Sequence, residues 1–272
     1  MHIQPPAETI HALTPHWDGE RFADGRPRVS DQVLEELRHA TIEQIWSVLW
    51  DAGYQRQFEG DWQVSHPGRR LVGRAVTAQF VPHRPDLDAV MVQTAGAEGR
   101  PTRSENQNWL VVESLQEGDV MVVDLFGKVY EGTMIGDQLG TAIDARTHAG
   151  AVIHGGVRDL EGLTALEHAN IYYRGTDPTP IRHVTLAGLN IPVRIGAATA
   201  MPGDVVLGTP AGVLFIPAHL ATQAAHDSAE TRLRDEFAKL RLTEGRYATS
   251  DVDVEVWAEH IEADFTEWRA AR

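Results

Sequence analysis

Two short stretches in the middle of the chain carry residue types suited to chemistry. They are Gly136-Asp137-Gln138-Leu139 and, beginning at the twenty-first residue after Asp137, Arg158-Asp159. Each falls where a strand-like run has ended and a helical pattern begins. Free backbone N–H groups at Gln138 and Leu139, reinforced by the helix dipole, would hold an anion. Arg158 offers a planar fork to a carboxylate and a positive charge to a developing oxyanion. Asp159 offers a hard oxygen to a divalent cation. Taken singly, each piece has a plainer reading. An aspartate opening a helix is more often its cap, a lone arginine is usually solvated or ion-paired, and glycines make turns. Their grouping at one sheet edge, where open α/β sheets bind ligands, is what points to a carboxylate and metal site.

The elements that must position these residues are legible around them. A strand over Val120 to Leu125 precedes a helix over Gln138 to His148, with Gly136-Asp137 at its start. A second strand, Ala151-Val152-Ile153, leads through Gly155-Gly156 to a helix expected over Asp159 to His168, and a third strand follows at Asn170 to Tyr173. Alternating strands and helices imply βαβ units with parallel pairing. Upstream, Ser30-Asp31 starts a helix, Thr41-Ile42-Glu43-Gln44 has capping-box spacing, and Leu71 to Val81 reads as a strand. Glu105 to Leu115 reads as a short helix. Downstream, short strands at Val184 to Leu186, Val193 to Ile195, Val205 to Leu207 and Val213 to Ile216 are separated by glycine and proline turns. Helices are expected over Ala218 to Leu240 and Val252 to Arg269. Residues 1–29 read as an irregular arm pinned by Trp17 and Phe22, 30–220 as an α/β domain, and 221–272 as C-terminal helices packed on that domain or on a neighbouring subunit. The fold class expected is α/β, a layered sandwich or barrel-like core with a helical tail.

Composition removes several alternatives. The 272 residues hold 24 Lys+Arg and 39 Asp+Glu, a formal charge of −15, which argues against a nucleic-acid surface. The absence of cysteine excludes disulfides, zinc thiolates, iron–sulfur clusters and thiol nucleophiles. Only Lys128 and Lys239 are available for a Schiff base. The thirteen histidines are scattered, and neither a Walker A nor an HExxH motif occurs. Nothing has the length of a membrane span, and Met1 to Ile10 lacks the apolar centre of a signal peptide, so a soluble cytoplasmic protein is expected.

The Gly136-Asp137 and Arg158-Asp159 pair resembles the signature of the family that contains 4-hydroxy-4-methyl-2-oxoglutarate aldolase and the regulator of ribonuclease E activity A. Members of this family are often called demethylmenaquinone methyltransferases. The resemblance runs from about Thr41 to Leu220. It includes Leu71 to Thr77, Gly118 to Asp124, Arg174-Gly175-Thr176, Pro202-Gly203-Asp204-Val205 and Gly212 to Pro217. It implies that the backbone amides of Gly136 to Leu139 bind the substrate carboxylate and that Arg158 contacts the 2-oxo acid. It further implies that Asp159 binds Mg²⁺ (Mn²⁺ being the alternative) and that Asp137 orients a catalytic water. The fold it implies is a β/β/α layered sandwich of the swivelling-domain type, assembled as homotrimers or hexamers with sites between subunits. In some aldolases of the family a neighbour's C-terminal acidic residue completes the site, and Glu236 and Glu244 are the candidates here. His154 stands where many members have aspartate, and Thr209-Pro210-Ala211 replaces the usual acidic positions. The activity implied is a divalent-metal lyase cleaving a 4-hydroxy-2-oxo acid to pyruvate by retro-aldol chemistry, or decarboxylating oxaloacetate. The alternative is a non-enzymatic regulator that binds an RNA-processing enzyme.

Overall fold

Runs of valine and isoleucine pair into a single large sheet in the computed structural model, which describes residues 2–100 and 102–272, with Glu105 as backbone alone. Met1, counted with the arm above, lies outside the described residues. The strands are β1 (Phe58–Glu59), β2 (Gln63–Val64), β3 (Leu71–Pro82), β4 (Asp119–Asp124), β5 (Gly150–Val157), β6 (Asn170–Thr176), β7 (Val184–Leu189), β8 (Val193–Ile195), β9 (Ala198–Ala200), β10 (Val205–Thr209) and β11 (Gly212–Ile216). Nine of them form one sheet in the order β1-β11-β10-β3-β4-β5-β6-β2, with β7 also on β3, while β8 and β9 make a separate hairpin. The centre, β3-β4-β5-β6, is parallel, as the alternating pattern predicts, and the flanks are antiparallel. Twelve residues long, β3 shares one edge between two partners: Leu71 to Arg74 pair with β10, and Ala78 to Pro82 pair with β7.

The helices are α1 (Ala7–Leu13), α2 (Asp31–Leu37), α3 (Ile42–Asp51), α4 (Pro85–Ala97), α5 (Asn108–Val112), α6 (Asp137–Thr147), α7 (Leu160–Leu163), α8 (Ala221–Thr243), α9 (Thr249–Val252) and α10 (Glu259–Ala270). Alternate residues of β4 serve opposite faces, as a strand's period of two requires. Met121 and Val123 pack with Met91, Leu110, Ile143 and Leu163 from α4 to α7. Val120 and Val122 pack with the β8–β9 hairpin and with Val206 and Phe215 of the curled β10–β11 flank. That curl gives the β/β/α layering. On its outer side, α2, α3 and the start of α8 cover Val205, Leu207, Leu214 and Ile216. The capping box at Thr41 and Gln44 forms, and the Ser30 hydroxyl caps α2. Among the described residues, no helix is long and apolar enough to cross a membrane.

Four expectations change. The helix expected from Asp159 to His168 is the single turn α7, because the Asp144 carboxylate accepts the N–H groups of His168 and Ala169 and holds that segment as a loop. The final helix starts at Glu259 rather than Val252, because the Trp257 indole donates to the Val252 carbonyl and fixes an irregular link. The segment over Glu105 to Leu115 breaks into a 3₁₀ turn and α5. The arm is not irregular throughout: it contains α1 and contributes the buried Ile3 and Ile10.

The arm is fastened by a charge. Arg26 is fully buried, and its guanidinium donates to both carboxylate oxygens of Asp119, at 2.8 and 3.1 Å, and through Nε to Asp24 at 2.8 Å. Burial pushes the Asp119 carboxyl upward, and the adjacent Arg26 charge opposes that rise. Removing one partner of such a pair strands the other in the interior. Arg26→Met is therefore expected to lower stability by about 3–5 kcal/mol, read as a fall in the urea midpoint at an unchanged slope.

Asp204 is buried, and among the described residues no cation pairs with it. Burial pushes its carboxyl up to about 8, although the Met201 N–H donates to it at 2.8 Å. The unfolded chain loses this proton near pH ~4. Between there and about pH 8 the folded state holds the extra proton, so stability falls as pH rises. Asp204→Asn is expected to flatten that decline, measured as urea midpoints across the interval.

Candidate functional site

The chain crosses from β4 to α6 through residues 125–136, and the last part of this loop is zipped to the end of β5. Thr133 bridges Gly156 in parallel, Met134 N–H donates to Gly156 O at 2.9 Å, and Arg158 N–H donates to Ile135 O at 3.0 Å. Gly156 N–H in turn reaches Lys128 O and Gly132 O, and a Cβ at Gly156 would lie 2.9 Å from Val129 O. Glycine is what lets the loop lie this close. The zip delivers the two sequence motifs to one point. A Cβ at Gly136 would sit 2.3 Å from an Asp159 carboxylate oxygen and 3.1 Å from Arg158 Cγ and Nε. Gly136, Arg158 and Asp159 therefore meet as expected, and the missing side chain at Gly136 is what makes room for the carboxylate.

Asp159 leaves β5 in the left-handed conformation, φ +54°, which aspartate tolerates better than most residues. Its side chain does not cap α7. Its nearest cation is Arg158 Nε at 3.6 Å, and the two side chains remain 41% and 42% exposed. A pair this open is held weakly, so both groups are available to a ligand.

At the start of α6, one expectation needs correction. Asp137 turns one oxygen onto the Gln138 N–H at 2.7 Å, so that donor is already occupied. Among the described residues, the N–H groups of Asp137 and Leu139 meet no acceptor, and these are the anion-binding donors of the helix end. Asp137 thus combines the plain role of a local turn with a second carboxylate oxygen that is free.

Gly136 to Leu139 and Arg158 line a cavity of about 210 Å³, with Asn106, Asn108, Trp109, Pro180 and Ile181 on its other side; Asp159 lies beside Gly136 and Arg158, outside that lining. A larger cavity of about 560 Å³ shares Asn106, Asn108, Pro180 and Ile181 as walls and reaches Arg182. The opposite wall was not legible as functional, since Asn106 to Trp109 read only as part of a helix. Asn108 stands out in the structure. Its amide donates to Met134 O at 2.8 Å, and its buried Oδ1 has no donor among the described residues.

A metal ion is compatible with this donor set in one way. Among the described residues, no three His, Asp or Glu side chains gather in a ligating group. A zinc site of three or four side chains is therefore not built here. A single half-exposed carboxylate, free of cap and tight ion pair, suits Mg²⁺, which keeps most of its waters and takes one or two carboxylates. His154 faces Asp124 (Nδ1 to Oδ1, 3.4 Å) and Trp62. Glu236 and Glu244 pair with Arg272 and Arg241 of their own chain.

Residues 27–215 match the family model described as RraA-like: Aldolase/RraA. The chain is 29% identical over 117 residues to a Halalkalibacterium halodurans protein provisionally named 4-hydroxy-4-methyl-2-oxoglutarate aldolase, covering 42% of this chain and 55% of that one. It is 25% identical over 180 residues to protein DlpA of Legionella pneumophila, covering 65% of this chain and 26% of DlpA. The chain thus spans about a quarter and about half of the lengths of these two curated relatives. In fold it is similar to Streptomyces coelicolor RraAS2, described as an unusual member of the RNase ES inhibitor RraA family, with a TM-score of 0.67, 24% identity, and 79% and 98% of the two chains covered. An uncharacterized Pseudomonas syringae protein gives a TM-score of 0.66 at 19% identity, covering 84% of this chain and 100% of that one. With the family model matched over well more than half of its length, and with the sheet and layers of the solved relatives, the chain belongs to the RraA-like family of aldolases and RraA proteins.

Proposed function

We propose that the protein is a divalent-metal-dependent lyase that cleaves a 4-hydroxy-2-oxo acid by retro-aldol reaction and releases pyruvate, with oxaloacetate decarboxylation as a second use of the same site. The observation that carries this reading is the meeting of Gly136, Arg158 and an uncapped Asp159 at one point, with Gly136 and Arg158 on the wall of the cavity. Asp159 would hold Mg²⁺ or Mn²⁺, which when bound supplies Lewis-acid polarisation of the 2-oxo group. The free N–H groups at the start of α6, with its dipole, bind the substrate carboxylate. Arg158 lies beside the 2-oxo oxygen. A water held by the free oxygen of Asp137 takes the proton of the 4-hydroxyl. As the C3–C4 bond breaks, its electron pair stays on the pyruvate fragment as an enolate, whose oxygen Arg158 stabilises. The 4-carbon leaves as a carbonyl, and protonation at C3 completes pyruvate. Trp109, Phe126, Tyr130 and Leu160 are large exposed apolar side chains on the segments that build the site. They favour a homotrimer or hexamer with this mouth at a subunit boundary.

The reading is tested by coupled pyruvate release from a panel of 4-hydroxy-2-oxo acids and oxaloacetate, with and without Mg²⁺ or Mn²⁺. Activity is expected to vanish on chelation, to return with metal, and to be lost in Asp159→Ala. Absence of pyruvate release across the panel would overturn the lyase reading in favour of a protein-binding regulator. Arg158→Lys keeps the charge but loses the planar fork, so kcat and kcat/KM are expected to fall together by about 10²-fold. A rise in KM alone would reduce Arg158 to a ground-state anchor.

Gly136→Ala tests the crowding directly. The added methyl must displace the Asp159 carboxylate, so kcat/KM is expected to fall by roughly 10²-fold while the circular dichroism spectrum and the oligomeric state stay unchanged.

A further inference from the structure

A second cavity lies on the other flank of the sheet and shares no lining residue with the two described above. It measures about 350 Å³, within the range of roughly 300–1,000 Å³ typical of small-molecule sites. Part of its wall comes from Leu13 to Trp17 of the arm and from Pro217 to His219 after β11, both outside residues 27–215 that match the family model. The cavity is therefore built where this chain adds to the family core.

Its lining is mainly apolar and aromatic, with Thr14, Gln57, Thr199 and Asp204 as further polar members. Leu13, Pro15, Met201, Pro217 and Ala218 give apolar walls. Rings cluster on the lining: His16 and His219 have centroids 5.2 Å apart, and Tyr54 and His219 5.7 Å apart, and Trp17 also lines the cavity. The Tyr54 hydroxyl and His219 Nε2 are 3.3 Å apart, which leaves a polar handle among the rings. The lining contains no lysine or arginine. Burial, with His16 nearby, holds the His219 imidazole below its usual range, and burial pushes the Asp204 carboxyl up to about 8. A mostly apolar cavity with a few convergent polar groups is the usual form of a ligand site. One with ring faces and no lysine or arginine favours an uncharged planar molecule over a carboxylate.

We propose that this cavity, closed by the N-terminal arm, is a binding site for a neutral aromatic or heteroaromatic ring bearing one hydroxyl or N–H group. The ring packs against Trp17, Tyr54 and His219, and its polar group engages the Tyr54–His219 pair. The site is separate from the one around Arg158, so it stands whether or not the lyase reading does.

The test uses the full chain with phenol and indole as probes, and benzoate and cyclohexane carboxamide as controls, followed by calorimetry and thermal shift. Saturable binding of phenol and indole, at least about tenfold tighter than benzoate, is the expected result. Tyr54→Phe keeps the ring and is expected to weaken phenol about tenfold by removing the handle, while Arg158→Lys leaves both probes unaffected. A crystal soaked with 5-bromoindole should show its bromine signal between Trp17 and His219. Three results would overturn the proposal: no saturable binding of either ring, equal binding of benzoate, or a bromine signal elsewhere with none in this cavity.

Discussion

Everything at the candidate site depends on two peptide hydrogen bonds, from Met134 N–H to Gly156 O and from Arg158 N–H to Ile135 O. They attach an irregular crossover loop to the end of a central strand, as if adding a short strand to it. β5 is held between β4 and β6 over Gly150 to Ile153 and by β6 alone at Gly156 and Val157, so the loop docks beside the end of a strand already fixed in the sheet. The start of α6 and the exit of β5 are then fixed relative to one another. Side chains that are individually exposed, Arg158 and Asp159, are thereby presented in a defined place without being buried themselves. Preorganisation of this kind puts the cost of ordering the site into the fold rather than into binding.

Much of this architecture was legible because it uses strong local signals. Valine-rich strands, the Thr41 capping box and the glycines bracketing β5 each mark an element through short-range sterics and hydrogen bonding. The meeting of Gly136 with Asp159 followed from strand order and parallel pairing. What escaped notice depended on distant partners. Nothing near Asp144 shows that its carboxylate will hold residues 168 and 169 out of a helix. Likewise, nothing near Asn108 shows that its amide will be pinned to Met134 and its oxygen left without a donor among the described residues. The occupied Gln138 amide is the opposite case: a local turn by Asp137 competes with ligand binding at the same helix end.

The arm illustrates why charge misleads in sequence reading. Arginine in a proline-rich stretch reads as solvated, and it takes the complementary Asp119 at the head of a buried strand to reverse that. The pair contributes little net stabilisation over an apolar pair of the same volume, but any placement of the arm that parts the two leaves a buried charge unpaired. Phe22 reinforces the choice by lying under the Arg26 guanidinium, 4.9 Å from ring centroid to carbon, with Arg74 at 5.7 Å.

That arrangement also orders events in time. Arg26 and Asp119 are separated by 93 positions, so the arm emerges from the ribosome long before the strand that receives it. Until β4 pairs with β3, the arm has no carboxylate to meet, and its Ile3 and Ile10 stay in water. Docking of the arm is thus a late, non-local closure, of the kind that slows folding and lengthens the life of partly assembled chains. Until that closure the apolar residues of the arm have nothing to pack on, so the exposure of a partly assembled chain is set by the arm as much as by the sheet.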